Sequence, residues 1–117
     1  MIISQRLKTI TELAIKCEFL VDVGTDHAYI PIFLVKNKIA KKAAACDISE
    51  GSVFKAEKNI RLYRCSDFIE TRVGDGLSVI KESERPDQII IAGMGGMLII
   101  DILNNDKKII DHCTLLF

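Results

Sequence analysis

Four carboxylates and an imidazole stand where apolar runs break into glycine turns. Asp22, Asp26 and His27 lie in "LVDVGTDHAYIPI" (Leu20 to Ile32), Asp47 ends "ACD", and Asp75 sits between two glycines in "RVGDGL". Gly24 allows a sharp turn after the first apolar run, so that a ligand can approach backbone amides and a following helix start; a plain structural turn has the same signature. A dinucleotide loop would repeat the glycine where the pyrophosphate presses on the backbone. Here Asp26 and Ala28 hold the two repeat positions.

The acid at that point selects among ligands. Asp26 would repel a pyrophosphate but tolerates a cation such as the sulfonium of S-adenosylmethionine. Asp47 follows Gly24 by roughly twenty residues, the separation at which a carboxylate takes the ribose hydroxyls of an adenosine, although it could equally cap a helix. Asp75 is sterically open and could accept from an exocyclic adenine amine, or it could cap its own turn. Three such positions at successive strand ends point to an adenosine-type ligand. A metal site built from Asp22, Asp26 and His27 is disfavoured, and Asp22 is expected to bond loop amides from the strand end.

The elements that must position these residues follow from hydrophobic periodicity. Leu7, Ile10, Leu13 and Ala14 have helical spacing within residues 4–16, and residues 19–23 form a short buried strand. A helix follows from Tyr29 to about Asn37, with Pro31 tolerated in its first turn. "KKAAACDI" is a second strand. Ser49 has the character of an N-cap for the amphipathic "EGSVFKAEKNIRLY". "FIETRVGDGL" gives a third strand that ends in a Gly-Asp-Gly turn, residues 77 to about 82 a short helix, and "RPDQIIIAGMGG" a turn, a buried fourth strand and a glycine turn. Helical turns are expected over 97–103 and 106–111, and "CTLLF" begins a fifth strand.

Apolar strands alternating with helices predict an α/β fold with a parallel sheet covered on both faces. Right-handed crossovers give the order 3-2-1-4-5, with ligands bound beyond the strands' carboxyl ends, near the switch point between strands one and four. The turns at Gly24, Asp47, Asp75 and Gly93 all fall at those ends.

Composition narrows the class further. A chain of 117 residues, 49% hydrophobic, is long enough for one domain with a single core. The zero net charge gives no support for a nucleic-acid partner of this piece, and Lys36, Lys38, Lys41 and Lys42 read as solvated surface. Cys17, Cys46, Cys65 and Cys113 lack any C-x-x-C pairing and read as reduced structural thiols. "IIIAGMGGMLII" is broken by glycines before it could span a bilayer, and the N-terminus carries no export pattern. A cytoplasmic protein without membrane attachment is expected.

"DVGTDHAYIPI", "CDIS" with Gly51 and "AEKNI" behind it, "RVGDGL" and "IIIAGMGGMLI" together resemble the TrmK family of tRNA (adenine-N1)-methyltransferases acting on adenine 22. The resemblance runs from about Arg6 onward. It implies a Rossmann-like class I methyltransferase domain using S-adenosylmethionine, with tRNA engaged through a further, largely helical part. Residue by residue, it implies that Gly24 and His27 line the donor's methionine end, with Asp22 behind them. It assigns the ribose to Asp47 and the adenine edge to Asp75 and Gly76. After strand four, Gly93 borders the donor, and Met94 and Gly95, with Tyr29, face the target base. Asp26 corresponds to the family's acid beside the reaction centre, where a carboxylate can stabilise the cationic methylated base. His27 could orient Asp26, contact the donor or pack on Tyr29.

Against that family the sequence reads as an incomplete domain over residues 1–117, cut within or just after strand five. Two expectations follow: self-association through uncovered edges and faces, and weak or absent tRNA methylation by this piece alone. "GSVF" also lacks the proline expected after Gly51. The competing readings are an NAD-dependent oxidoreductase on a related fold and a non-catalytic adenosine-binding fragment.

Overall fold

The structure, a computed structural model, describes residues 4–92, 95–111 and 113–116. Its elements run α1 (Gln5–Leu13), β1 (Cys17–Val23), α2 (Tyr29–Lys36), β2 (Ala40–Asp47), α3 (Glu50–Leu62) and β3 (Ile69–Val73). A 3-10 helix (Glu82–Glu84), β4 (Gln88–Ile91), α4 (Gly96–Asn105), α5 (Lys107–Ile110) and β5 (Thr114–Leu116) follow. Every strand pair is parallel, and the order is 3-2-1-4-5, as the alternation of apolar strands and helices predicts.

Side-chain alternation along the strands builds two cores. Leu20, Ala43, Ala45 and Ile90 face α2 and α3 through Ile32, Leu34, Ala56 and Ile60. Their neighbours Val21, Val23, Ala44, Ile89 and Ile91 face the other layer, with Leu77, Ile80 and Ile102. Because both faces are covered, Phe19 to Val21 of β1 and Ile89 to Ile91 of β4 read as continuous apolar runs. Ser4 and Ser49 cap α1 and α3, their hydroxyls accepting from Leu7 N and Ser52 N, each at 3.2 Å. All four cysteines are free thiols.

One predicted element is wrong. Residues 77–80 form a turn and a bend, and the short helix is a 3-10 turn shifted to Glu82–Glu84. The bonds Ser78 N to Asp75 O and Ile80 N to Leu77 O close tight three-residue steps, burying Leu77 and Ile80. Arg72 on β3 then captures the Val79 carbonyl at 3.0 Å, the acceptor a continuing helix needs four residues on. The same guanidinium makes a two-pronged contact with Glu84 at 2.8 and 2.6 Å and pairs with Glu70. It holds the Glu84 carboxyl down at about 2.

Candidate active site

The loop after β1 answers how an acid can stand where glycine is usual. Gly24, Asp26 and Ala28 all adopt left-handed backbone, with φ of 75°, 55° and 63°. The glycine conformation thus persists at all three repeat positions, two of them without glycine. Left-handed backbone costs most residues about 1–2 kcal/mol, and Asp tolerates it better than most. The strain is held by long-range bonds. Gly24 N and Thr25 N both donate to the Cys46 carbonyl at 2.9 Å, and Asp26 N donates to Asp47 Oδ2 at 3.1 Å.

Asp47 therefore clamps two loops. Its Oδ1 accepts from Ser49 N at 3.0 Å, so it also opens the turn into α3. An ionised carboxylate offers about four acceptor positions, and the backbone bonds occupy two of them. Gly74 N donates to the Asp47 carbonyl at 3.0 Å, which draws the end of β3 to the same place.

Asp26 is 65% exposed, and its Oδ2 lies 3.0 Å from His27 Nδ1. The His27 ring stacks on Tyr29 with centroids 5.4 Å apart and planes 8° from parallel. Asn59 of α3 donates to the His27 carbonyl at 2.9 Å, pinning the tip of the loop across the domain. Two of the three roles envisaged for His27, facing Asp26 and packing on Tyr29, therefore coincide in one geometry.

Asp22 differs from expectation. The loop amides go to the Cys46 carbonyl, and Asp22 Oδ2 instead accepts the Thr25 hydroxyl at 2.7 Å. Its side chain is buried, and Oδ1 has no partner among the described residues. Burial pushes its carboxyl up to about 7; the Thr25 hydroxyl opposes the rise and the nearby Asp47 charge adds to it.

Asp75 is exposed, and its carbonyl accepts from Ser78 N at 3.0 Å. The flanking glycines are demanded by packing. A Cβ on Gly74 would lie 2.2 Å from Val79 Cγ1, while Gly76, at φ 55°, would bring one to 3.0 Å from Ile102 Cγ1. Burial and the charge of Asp75 both raise the carboxyl of Asp106, at the end of α4. Gly95 is the exposed N-cap of α4; Gly93 and Met94 lie outside the described residues.

The structure thus joins Asp26, His27, Tyr29 and Asp47 by direct contacts, with Gly24 bonded to the neighbouring Cys46 carbonyl, Asp22 buried at the end of β1 and Asp75 and Gly76 after β3. Thr25, Asn59 and Asp106 were not picked out from the sequence. Thr25 had a local signal, a hydroxyl three residues after an acid in a turn. Asn59 had none beyond being polar on the half-buried side of α3.

A parallel sheet ordered 3-2-1-4-5 with ligand-type loops at its carboxyl ends defines a Rossmann-like α/β protein. The family profile described as "Methyltransferase domain" matches residues 3–117, so the chain belongs to that family. It is 41% identical over 105 residues to the tRNA (adenine(22)-N(1))-methyltransferase of Bacillus subtilis, covering 90% of this chain and 44% of the relative. The crystal structure of the B. subtilis M1A22 tRNA methyltransferase TrmK superposes with a TM-score of 0.84 at 40% identity, covering 97% of this chain and 47% of that one. M. capricolum TrmK in complex with S-adenosyl-homocysteine gives 0.85 at 37% identity, with coverages of 91% and 48%. These similarities bear out the TrmK resemblance read from the motifs. The chain spans about half the length of these relatives.

Proposed function

We propose that the carboxyl ends of β1, β2 and β3 bind S-adenosylmethionine, and that the domain, in a protein of its relatives' length, methylates N1 of an adenine in tRNA. The likeness to the B. subtilis enzyme points to position 22. The observation that carries the reading is the clamped loop, in which Asp22, Asp26 and Asp47 converge through hydrogen bonds to one another's backbone and neighbours. Such a concentration of carboxylates suits a cationic ligand. The unpartnered Asp22 Oδ1 fits the same chemistry, since a buried acceptor lacks a donor there.

In this reading Gly24 and His27 line the methionine end, and Asp22 sits behind them to receive a positively charged group. Asp47 retains acceptor positions for the ribose hydroxyls while its backbone bonds hold it still. Asp75 and Gly76 border the adenine, with Gly93 closing the donor side; Tyr29, Met94 and Gly95 meet the target base. The sulfonium supplies an electrophilic methyl with a neutral thioether as leaving group. N1 of neutral adenine has a free lone pair, so the protein need not remove a proton before attack. Asp26 stabilises the positive charge that develops on the ring and orients its exocyclic amine. His27 holds the Asp26 carboxylate, and the stacked Tyr29 ring holds His27.

We further assign the chain a tRNA partner and a cytoplasmic setting, and expect self-association. No helix among the described residues is long and apolar enough to cross a membrane. Met97 and Ile100 on α4 are 75% and 50% exposed, which supports a contact between copies. Light scattering at micromolar concentration should therefore find species larger than a monomer. The functional test is transfer of a radiolabelled methyl group into unmodified tRNA by a protein of the relatives' length. Label is expected on N1 of the adenine at position 22, and a transcript with guanine there should take up none; equal labelling of both would contradict the assignment.

A further inference from the structure

The opposite end of the sheet has a different character. An open groove of about 1020 Å³ lies at the start of β1, β2 and β3, rimmed by Lys16, Lys36, Lys38, Lys41 and Lys42. All five lysines are exposed. Its floor includes Cys17, Val35 and Ala40, and Phe68, 49% exposed, stands at one wall. Two acids also border it, and both are engaged. Glu18 pairs with Lys41 at 3.2 Å, while Asp87 Oδ2 accepts from Glu18 N and Phe19 N at 2.7 and 2.9 Å. Lys16, Lys36, Lys38 and Lys42 have no ion-pair partner among the described residues.

The backbone sharpens this. Lys38 N donates to Val35 O and Ile39 N to Leu34 O, so α2 ends in a Schellman motif. Lys38 occupies its left-handed position, with φ 58°, where glycine is the usual residue. Arg64 does the same after α3, with φ 59° and the matching bonds Arg64 N to Arg61 O and Cys65 N to Ile60 O. Cations at helix C-termini are favourable with the helix dipole, but that benefit does not require them at a position glycine fills without strain.

We propose that this groove is a second binding site, for the sugar–phosphate backbone of an RNA strand with a base laid against Phe68. The inference rests on the reading of the chain as an RNA methyltransferase domain. A basic groove beside an exposed aromatic ring is the arrangement that holds single-stranded nucleic acid. The other end of the sheet cannot supply this affinity, because its carboxylates repel phosphate. The two sites lie about 20 Å apart along the seven residues of β1, so one folded RNA can reach both.

The test uses the whole chain with fluorescently labelled, unmodified tRNA at a series of KCl concentrations, and calorimetry with S-adenosylmethionine in parallel. The variant Lys36→Glu/Lys38→Gly/Lys42→Glu should bind tRNA at least about tenfold more weakly, and the slope of log affinity against log salt should fall by about 2. Donor affinity should stay unchanged. Its three sites are exposed and glycine suits φ 58°, so a thermal melt no lower than that of the parent is expected. Phe68→Ala should weaken RNA binding with the salt slope preserved. Lys55→Glu/Lys58→Glu, on α3, serves as the control and should stay within about twofold. Unchanged RNA affinity and slope in the triple variant would overturn the proposal, as would no RNA binding by the unaltered chain or equal binding of poly-glutamate. Loss of donor binding in the unaltered chain would instead remove the methyl-donor reading, and the RNA titration would still decide this one.

Discussion

The two ends of one sheet carry opposite chemistry. At the carboxyl end stand Asp22, Asp26, Asp47 and Asp75; at the amino end, five lysines surround a groove. In parallel α/β folds the helix starts and loop amides make the carboxyl end attractive to anions. Here the protein fills those amides with its own acid. Asp47 accepts from Asp26 N and Ser49 N, donors of the kind that hold phosphate in a dinucleotide site. A loop geometry shared with nucleotide-binding proteins thereby carries the chain's own carboxylate on its amides. The zero net charge of the chain conceals this segregation, because it averages over both ends.

The comparison is best broken at Asp26. Asp26→Ala, in a protein of the relatives' length, should lower methyl transfer by roughly 10²–10³-fold, the range for removing a group aimed at developing charge. Donor affinity should change far less; unchanged turnover would remove Asp26 from the mechanism. Asp47→Ala comes next, since it deletes the acceptor of two backbone amides. Donor binding should weaken by about 10–100-fold, and the midpoint of urea unfolding should drop by an amount worth about 2 kcal/mol.

Asp22 sharpens the contrast through pH. Burial pushes its carboxyl up to about 7, against 3.8 for a freely solvated aspartate. Its contribution to stability is therefore complete below about pH 3.8 and is lost as pH rises through 7. Asp22→Asn removes that loss, keeping an acceptor for the Thr25 hydroxyl. The variant should match the parent in urea melts at pH 4 and exceed it by about 4 kcal/mol at pH 8, while binding the donor more weakly. The smallest effect belongs to the far end. Lys38→Gly should stabilise the chain by about 1 kcal/mol through relief of left-handed strain and leave donor binding unaltered.

Much of this architecture is legible in the residues. Continuous apolar runs such as Ile89 to Ile91 announce buried parallel strands, and Ser49 marks the start of α3 through a local capping bond. Signals failed where long-range contacts decide. Residues 77–82 have helix-compatible spacing, but Arg72, on a neighbouring strand, takes the Val79 carbonyl and forces turns. From the sequence Asp22 is expected to bond loop amides from the strand end; β2 supplies the Cys46 carbonyl to the amides of Gly24 and Thr25 instead. The left-handed backbone of Asp26 and Ala28 is equally invisible, since neither residue type demands it.

The central claim is that the clamped acidic loop selects a sulfonium over a pyrophosphate. It is tested most directly by calorimetric titration of the chain with S-adenosylmethionine and, separately, with NAD. Saturable binding of S-adenosylmethionine at one site, weakened about 10–100-fold in Asp47→Ala, with no heat from NAD, is the predicted result. Saturable NAD binding, or no binding of S-adenosylmethionine by the folded chain, would contradict it.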